Sequence, residues 1–307
     1  MKKLLIVGLG PMGIAHLKSF QKKSSKYEIV LSDLNINKIV KKNLNFLKKF
    51  KNLKINNYLP KNCEFDLVIV STNSKERYLV VKEIARFNKI KHLLLEKFLF
   101  PNLNDLNSFK KLIKRKKIKN IFVNSWGDYL IKKLDVKKHL KEKNNLKITI
   151  HINKGDMLTN LIHYFDMIFS LLSIKKISLI SKNVELIRSK RKGYDELKGE
   201  LNFKIGSNLV SIKSNSIKKF NKMQITANNL HYLLEINKQG FCNLIYKKKI
   251  LKKIPFPLAS KKTEFWFNNF IEGKKEEKIV RNFDKISDLS IQILSFLKTI
   301  KKKMIIT

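Results

Sequence analysis

Short runs of consecutive apolar residues alternate with amphipathic stretches through the first 123 residues. The apolar runs end at glycine or at polar residues, as buried parallel strands do, and they cover residues 4–7, 27–32, 66–70, 92–95 and 121–123. Apolar positions at helical spacing lie between these runs, over residues 11–23, 35–50, 75–87 and 106–116. Strands that alternate with helices predict an α/β fold with a doubly wound parallel sheet.

The pattern changes after residue 123, where helices are predicted over residues 129–143, 158–172 and 284–301 and a strand over 146–152. Stretches that alternate apolar and polar residues, as half-buried strands do, cover 177–187, 201–214, 223–236 and 241–246. A length of 307 residues fits two domains. We expect the first over residues 1–123. We expect the second over residues 124–307, as an α+β domain for substrate binding and oligomerisation. It should contain a large, mostly antiparallel open sheet, and its last helix could pack back on the first domain.

The formal charge of +42 raises the question of an anionic partner. Only six of the 66 basic residues are arginine, the residue that contacts bases and phosphates bidentately, and the 60 lysines run along the whole chain. The densest basic tract, residues 110–117, is typical of the solvated face of a helix. Lysine, asparagine, isoleucine and phenylalanine all have A/T-rich codons. Their abundance therefore favours genomic drift, and nucleic-acid binding is the weaker alternative.

Two further classes of protein are disfavoured. No uninterrupted run of about 18 apolar residues occurs, so a membrane-spanning helix is not expected. Cys63 and Cys242 lie far apart, and neither has the spacing of a metal site or of a disulfide framework. We therefore expect no metal and a reduced, cytoplasmic setting.

The pattern G-x-G-x-x-G occurs directly after the first predicted strand and opens the first predicted helix. Its residues are Gly8, Leu9, Gly10, Pro11, Met12 and Gly13. In this setting the first glycine allows a tight turn, the second lets the backbone approach a pyrophosphate, and the third permits close helix–strand packing. An ordinary glycine-rich turn is the alternative, but the chain has only 10 glycines and three lie here. We therefore predict a Rossmann dinucleotide-binding domain.

Asp33 lies 20 residues past Gly13, at the end of the second predicted strand. A carboxylate there can accept hydrogen bonds from the adenosine ribose and repels a 2′-phosphate, which favours NAD over NADP. A helix cap or turn aspartate is the alternative, and Lys38 nearby keeps NADP open as the minor option.

The glycine pattern and several motifs that follow it resemble, in their order along the chain, those of the Gfo/Idh/MocA family, the relatives of glucose–fructose oxidoreductase and inositol dehydrogenase. These motifs are the glycine pattern with His16; Ser71, Thr72 and Asn73; Glu96 and Lys97; His163 with Asp166; and Phe270 to Gly273. The resemblance implies an NAD(P)-dependent oxidoreductase that moves a hydride between nicotinamide and a sugar or sugar derivative. It places Ser71, Thr72 and Asn73 beside the nicotinamide ribose and assigns Glu96 and Lys97 to the E-K-P signature.

The chain departs from this family at several positions. The proline of E-K-P is Phe98, the first aspartate of the family's D-x-G-x-H-x-x-D helix is Thr159, and Ser125 with Trp126 replaces a frequent arginine pair. Similar departures, with an R-Y pair like Arg77 and Tyr78, occur in a subgroup found with surface-polysaccharide genes. The subgroup resemblance implies a role in polysaccharide biosynthesis.

Lys97 is the leading candidate for acid/base chemistry. It follows a predicted strand at the carboxyl edge of the sheet, where ligands bind, and burial beside a carboxylate can tune its proton affinity. An ordinary surface lysine is the alternative, since the chain has 60. Glu96 is expected to position the loop, and His16 to pack near the cofactor.

Thr159, His163 and Asp166 are spaced i, i+4 and i+7, so one helical face presents all three, with Asn160 beside it. His163 can relay a proton or bind the reacting hydroxyl, and Asp166 can orient the imidazole or bind sugar hydroxyls. A core histidine hydrogen-bonded within its helix is the alternative. We add Trp126 to the substrate-binding candidates, which are otherwise Lys97, Thr159, Asn160 and His163.

The expected partners are a small sugar substrate and a second copy of the chain, in a dimer or tetramer. The second expectation assumes that the open sheet has an uncovered apolar face. A dinucleotide-binding sensor or subunit without catalysis is the alternative function, because family positions are altered.

Overall fold

The computed structural model describes residues 1–140, 145–153, 155–173, 176–189, 191, 193–216, 222–227, 230–237, 239–256, 258–274, 280–301, 304 and 306. The chain forms two compact units. The first unit consists of Met1–Asn124 with Leu258–Ser287, and the second of Ser125–Pro257 with Asp288–Thr307.

The strands, in chain order, are β1 (Lys2–Val7), β2 (Tyr27–Ser32), β3 (Leu53–Asn56), β4 (Glu64–Val70), β5 (Lys89–Leu95), β6 (Asn120–Val123), β7 (Lys147–Asn153), β8 (Ser178–Arg188), β9 (Asp195–Ile205), β10 (Asn208–Ser216), β11 (Lys222–Ala227), β12 (Leu230–Ile236), β13 (Phe241–Tyr246), β14 (Lys249–Pro255) and β15 (Arg281–Asn282). The α-helices are α1 (Pro11–Ser19), α2 (Ile36–Leu47), α3 (Ser74–Phe87), α4 (Leu103–Arg115), α5 (Gly127–Lys133), α6 (Val136–His139), α7 (Met157–Leu172), α8 (Thr263–Ile271) and α9 (Phe283–Leu297). Short 3₁₀ helices cover Gln21–Lys26 and Ala259–Lys262.

Within its described residues, the first unit holds a seven-stranded sheet of order β15-β6-β5-β4-β1-β2-β3. β15 runs antiparallel to β6, and the other neighbouring strands are parallel. Leu4, Leu5 and Ile6 are consecutive and all fully buried, as expected of a central strand covered on both faces. The strand order reverses between β1 and β4. A sheet of this kind binds ligands at the carboxyl ends of its strands, at this reversal.

The described part of the second unit holds an eight-stranded sheet of order β14-β13-β12-β11-β7-β10-β9-β8. Only the β7–β10 pair is parallel among its described pairings. Along β7 the side chains of Ile148, Ile150 and Ile152 are buried, and the residues between them are half-buried or exposed. α7 packs against β7 and β9 and is buried along most of its length. The predicted fold class, a parallel sheet followed by a largely antiparallel one, is confirmed.

The open face of this second sheet is polar at its centre, contrary to the assumption behind the expected oligomer. The outward side of β7 carries Lys147, Thr149, His151 and Asn153. Neighbouring strands add cross-strand ion pairs on that side, such as Lys213 with Glu200. A self-association of the chain stays a prediction, but an apolar sheet face no longer supports it.

Several predicted elements of the second half are divided or shifted in the structure. The strand predicted over 201–214 is β9 and β10, because Gly206 and Ser207 interrupt the alternating pattern and form a two-residue hairpin turn. The strand predicted over 223–236 is likewise two strands, and residues 228–229 between them lie outside the described residues. The helix predicted over 129–143 is divided into α5 and α6, and residues 141–144 lie outside the described residues.

The sequence pattern missed β3, β14, α8 and β15. β3 and β15 are short edge strands, and β14 is a lysine-rich edge strand, so their hydrophobic patterns are weak. The segment with α8 belongs to the first unit, although the sequence had assigned it to the second domain.

Among the described residues, no helix combines the length and the apolar character needed to cross a membrane. The same residues contain no group of three or more His, Cys, Asp or Glu side chains that could hold a metal ion.

Candidate functional site

The glycine turn connects β1 to α1 at the carboxyl edge of the first sheet. A Cβ on Gly13 would lie 2.0 Å from the carbonyl oxygen of Gly8, so only glycine allows α1 to pack this closely against the turn. Gly10 is exposed, and a Cβ there would meet no heavy atom within 4 Å. Gly10 is also the N-cap of α1, and no described side chain caps its backbone N–H groups. An open backbone surface with uncapped helical N–H groups fits the pyrophosphate of a dinucleotide.

Asp33 braces this turn. Its Oδ2 accepts a hydrogen bond from the Leu9 backbone N–H at 2.6 Å, and its Oδ1 accepts one from the Asn35 N–H at 2.8 Å. Each carboxylate oxygen can accept more than one hydrogen bond, so these contacts leave capacity for ribose hydroxyls. The carboxylate is therefore a turn-stabilising group, as in the alternative interpretation.

The turn after β4 lies beside the glycine turn, since the Ser71 N–H donates to the Val7 carbonyl at 2.8 Å. The hydroxyls of Ser71 and Thr72 are buried and have no hydrogen-bond partner among the described residues. Unsatisfied buried hydroxyls are uncommon and fit a polar ligand at this edge. Asn73 has a local role, because its Oδ1 accepts from the Glu76 N–H and caps α3.

Glu96, at the end of β5, is the centre of a buried polar network. His16 Nε2 lies 2.8 Å from Glu96 Oε1, and the Asn124 side-chain amide donates to the same oxygen at 2.5 Å. On the other side of the ring, His16 Nδ1 lies 2.7 Å from Thr263 Oγ1. Burial by itself would raise the pKa of the Glu96 carboxyl. The hydrogen bonds from His16 and Asn124 and the charges of His16 and Arg77 outweigh burial and hold this pKa below its ordinary value.

Arg77, on α3, holds the backbone next to Lys97. Its guanidinium is buried and donates to the carbonyl oxygens of Phe98, of Leu99 at 2.9 Å and of Thr72 at 2.5 Å. Lys97 itself is half-buried, and its peptide bond to Phe98 is cis. The sequence showed Arg77 only as part of an R-Y pair and gave no sign of this contact.

In the second unit, α7 presents the predicted polar face. His163 and Asp166 are buried, and Thr159 and Asn160 are half-buried. The Trp126 ring stacks on the His163 imidazole, with ring centroids 4.6 Å apart and planes at 28°. The structure therefore places Trp126, His163 and Asp166 together in this unit. Lys97 belongs to the first unit.

Ser125 joins two of these residues. Its Oγ donates to Asp166 Oδ2 at 2.9 Å and lies 3.2 Å from His163 Nδ1. The sequence identified Ser125 only as a replacement for an arginine, because a serine in a loop carries no sign of which distant helix it will contact.

Glu196, on β9, is a second residue that the sequence missed. Its carboxylate accepts from the N–H groups of Leu158 and Thr159 and, at 2.6 Å, from the Thr159 hydroxyl. Glu196 is fully buried, so it caps the N-terminus of α7 from another element. A carboxylate thus lies beside Thr159, the position at which the Gfo/Idh/MocA motif has aspartate.

The parallel sheet and the glycine turn define a dinucleotide-binding protein of the Rossmann class. Residues 2–125 match a family model described as an oxidoreductase family with an NAD-binding Rossmann fold. The match is to the NAD-binding domain of the Gfo/Idh/MocA oxidoreductases, so the resemblance is confirmed over this part of the chain.

Solved structures share the fold of nearly the whole chain at low sequence identity. A dehydrogenase (MviM) from Clostridium difficile is 14% identical, with a TM-score of 0.69 over 97% of this chain and 99% of that chain. UDP-N-acetylglucosamine 3-dehydrogenase GnnA from Acidithiobacillus ferrooxidans is 8% identical, with a TM-score of 0.66 over 95% of each chain. A super-repressor mutant of Gal80p from Saccharomyces cerevisiae is 14% identical, with a TM-score of 0.68 over 97% of this chain and 95% of that chain. The comparison with curated proteins gives no match.

Proposed function

We propose that the protein is an NAD-dependent oxidoreductase that transfers a hydride between nicotinamide and a carbinol or ketone carbon of a sugar derivative. Sugar nucleotides are the substrate class to test first. The observation that carries the proposal is the glycine turn, with its open Gly10, its Asp33 brace and the unpartnered hydroxyls of Ser71 and Thr72. The match of residues 2–125 to an NAD-binding oxidoreductase family supports it.

The cofactor would be held by the candidates of the first unit. These are Gly8, Leu9, Gly10, Pro11, Met12, Gly13, Asp33, Ser71, Thr72, Asn73, Glu96 and Lys97. A bound nicotinamide supplies the hydride acceptor or donor. We infer NAD over NADP because the Asp33 carboxylate would repel a 2′-phosphate at the edge of the turn.

Lys97 is the proposed leading acid/base, and His163 assists it. Oxidation of an alcohol releases a hydroxyl proton together with the hydride, so a group beside the hydroxyl must accept that proton. The buried network of Glu96 and the Arg77 contacts to Phe98 and Leu99 fix the backbone on both sides of Lys97. Asp166 orients His163, and Trp126, Thr159 and Asn160 complete the proposed substrate-binding set.

The choice of a sugar nucleotide rests on one shared fold. The UDP-N-acetylglucosamine 3-dehydrogenase has the same fold. A role in surface-polysaccharide biosynthesis, a cytoplasmic location and a homo-oligomer complete the proposal.

The cofactor is tested by binding. NADH should raise the thermal midpoint of the purified chain more than NADPH does, because a ligand that binds the folded state stabilises it. Gly10→Ala should lower the free energy of unfolding by no more than about 1 kcal/mol, the difference between glycine and alanine at an N-cap, since the new Cβ meets nothing, but it should weaken NADH binding. A larger midpoint shift with NADPH would contradict the assignment of NAD.

The reaction is tested by turnover with NAD⁺ or NADH over a panel of sugar nucleotides that includes UDP-N-acetylglucosamine. Lys97→Ala should lower kcat by about 10²-fold or more, the usual contribution of a positioned acid/base. Lys111→Ala, on the exposed side of α4, is the control and should keep full activity. Cofactor binding without turnover on any member of the panel would contradict the proposal.

A dinucleotide-binding regulator is the second candidate. It is favoured by the loss of the family's aspartate at Thr159 and by the shared fold with the Gal80p super-repressor mutant. The experiment above separates the two candidates, because a regulator binds the dinucleotide and lacks turnover.

A further inference from the structure

The imidazole of His163 lies among groups that restrict both its plane and its protons. The side chain is 3% exposed and stacks on Trp126, which fixes the ring plane. In the family motif, an aspartate one turn before the histidine could reach the ring, but here that position is Thr159. The Thr159 hydroxyl donates to Glu196 instead. The side chain at position 159 therefore supplies no carboxylate to the ring.

Ser125 supplies the connection to such a carboxylate. A Cβ on Gly127 would lie 2.4 Å from the His163 carbonyl oxygen, so the start of α5 packs directly on the backbone of α7. This close approach seats the fully buried Ser125 between His163 Nδ1, at 3.2 Å, and Asp166 Oδ2, at 2.9 Å. The position of the bridging Ser125 hydroxyl is thus set by the close packing of the two backbones.

The direction of these hydrogen bonds follows from the donors available. Asp166 Oδ2 accepts the backbone N–H of Asp128 at 3.1 Å as well as the Ser125 hydroxyl, so this oxygen acts as an acceptor. The serine has one hydroxyl hydrogen, and it is directed to Asp166. The Ser125 oxygen can then only accept at His163, which requires the proton of the imidazole to be on Nδ1.

We propose that Ser125 is a positioning residue that relays the Asp166 carboxylate to His163, fixing the Nδ1–H tautomer and making Nε2 the accepting nitrogen. The catalytic role of this relay rests on the proposed function, in which Nε2 of His163 assists removal of the substrate hydroxyl proton. When Nε2 takes up a proton, the positive charge on the ring is stabilised by Asp166 through the serine hydroxyl. The relay forms and breaks no covalent bond.

The tautomer is tested by ¹⁵N NMR of the full chain labelled at histidine, at a pH where the ring is neutral. The two ring nitrogens of a neutral histidine differ in chemical shift according to which one carries the proton. Loss of one signal set in His163→Gln assigns the residue. We expect the Nδ1–H form in the parent chain and a shift towards Nε2–H, or a mixture, in Ser125→Ala.

Two further variants keep this test decisive. Ser125→Thr retains a hydroxyl and should keep the Nδ1–H form, which also covers the case in which Ser125→Ala fails to fold. Ser170→Ala removes a different buried hydroxyl, on α7, which donates to Asp128 at 2.7 Å, and should leave the His163 tautomer unchanged. An Nε2–H tautomer in the parent chain, or identical His163 signals in the parent and a folded Ser125→Ala variant, would overturn the relay.

The NMR test needs no substrate, so its outcome is independent of the proposed reaction. Once a substrate is found, Ser125→Ala should lower kcat by about tenfold or more with little change in KM, because the binding contacts remain. The pH profile of kcat should also shift, and Ser125→Thr should restore part of the rate. A loss confined to KM would contradict the relay and leave the proposed function standing.

Discussion

At the scale of single residues, the buried Glu96 carboxylate connects separate parts of the first unit. It is 5% exposed and accepts hydrogen bonds from two elements distant in sequence, His16 on α1 and Asn124 after β6. Such a group costs desolvation energy, which its hydrogen bonds with His16 and Asn124 offset. The same carboxylate fixes the end of β5 from which Lys97 projects.

Replacing Glu96 by glutamine should lower the free energy of unfolding by about 3 kcal/mol or more, because a buried charge network loses its anion. The control is Glu28→Gln near the surface, where the ion pair with Lys54 is worth less than about 1 kcal/mol. Urea unfolding at neutral pH measures both. Equal small losses would contradict the role of Glu96.

The same variant should change the pH dependence of stability. Folding lowers the pKa of Glu96 below its ordinary value of 4.5, so its contribution is complete above about pH 4.5. The contribution is lost as the pH falls through the lower pKa of the folded state, because the unfolded chain then binds more protons. Unfolding free energies between pH 3 and 7 should therefore fall less steeply on acidification in Glu96→Gln than in the parent.

At the scale of elements, α7 depends on a strand for its cap. Its N-cap residue, Asp156, makes no side-chain capping bond, and Glu196 on β9 accepts the N–H groups of Leu158 and Thr159 instead. The helix that presents His163 is thereby fixed to the second sheet at its first turn. The Glu196 carboxylate therefore lies beside Thr159, although the sequence of α7 has no aspartate at that position.

Thr159→Asp, which restores the residue type of the family motif, should therefore destabilise this protein. The new carboxylate would lie against Glu196 Oε1, which now accepts the threonine hydroxyl at 2.6 Å, and two like charges at this distance repel. We expect a loss of about 3 kcal/mol in chemical unfolding. Combining it with Glu196→Gln should recover part of that loss, whereas Thr159→Ser should stay close to the parent. Strict additivity of the two substitutions would contradict the contact.

At the scale of the whole molecule, the charge of +42 remains a property of the surface. Lysines occur on helices and strands of both units, and some of the described ones pair locally, as Lys132 does with Asp128 and Lys222 with Glu235. Such pairs are too few to neutralise an excess of this size, because only 24 acidic residues face 66 basic ones. Mutual repulsion should therefore oppose folding at low ionic strength.

Added salt should accordingly stabilise the protein. Raising NaCl from about 10 to 150 mM shortens the Debye length from about 30 to about 8 Å, which screens repulsion between distant lysines more than it weakens close pairs. The thermal midpoint should rise over this range, and choline chloride should give the same rise if ionic strength is the cause. A falling midpoint would show that local ion pairs outweigh the repulsion.

The glycine turn could be read from the sequence because its function depends on residue type at fixed spacing. Gly13 is required because α1 packs closely against the carbonyl oxygen of Gly8, and a requirement for glycine at a fixed position is visible in the sequence. The alternation of strands and helices likewise predicted the first sheet, because consecutive buried residues such as Leu4, Leu5 and Ile6 are a local signal. The roles given to Lys97, His163 and Asp166 stay predictions until the experiments above are done.

The sequence by itself determined the fold class and the cofactor turn, since both depend on periodicity and short spacing along one segment. Only the tertiary structure brought Ser125 to His163, Glu196 to the start of α7 and Arg77 to the carbonyl oxygens after Lys97. These contacts join residues that lie 21 to 38 positions apart, and each depends on how two elements pack. A polar side chain has no periodic signal for a partner on another element, so such contacts become visible only once the chain has folded.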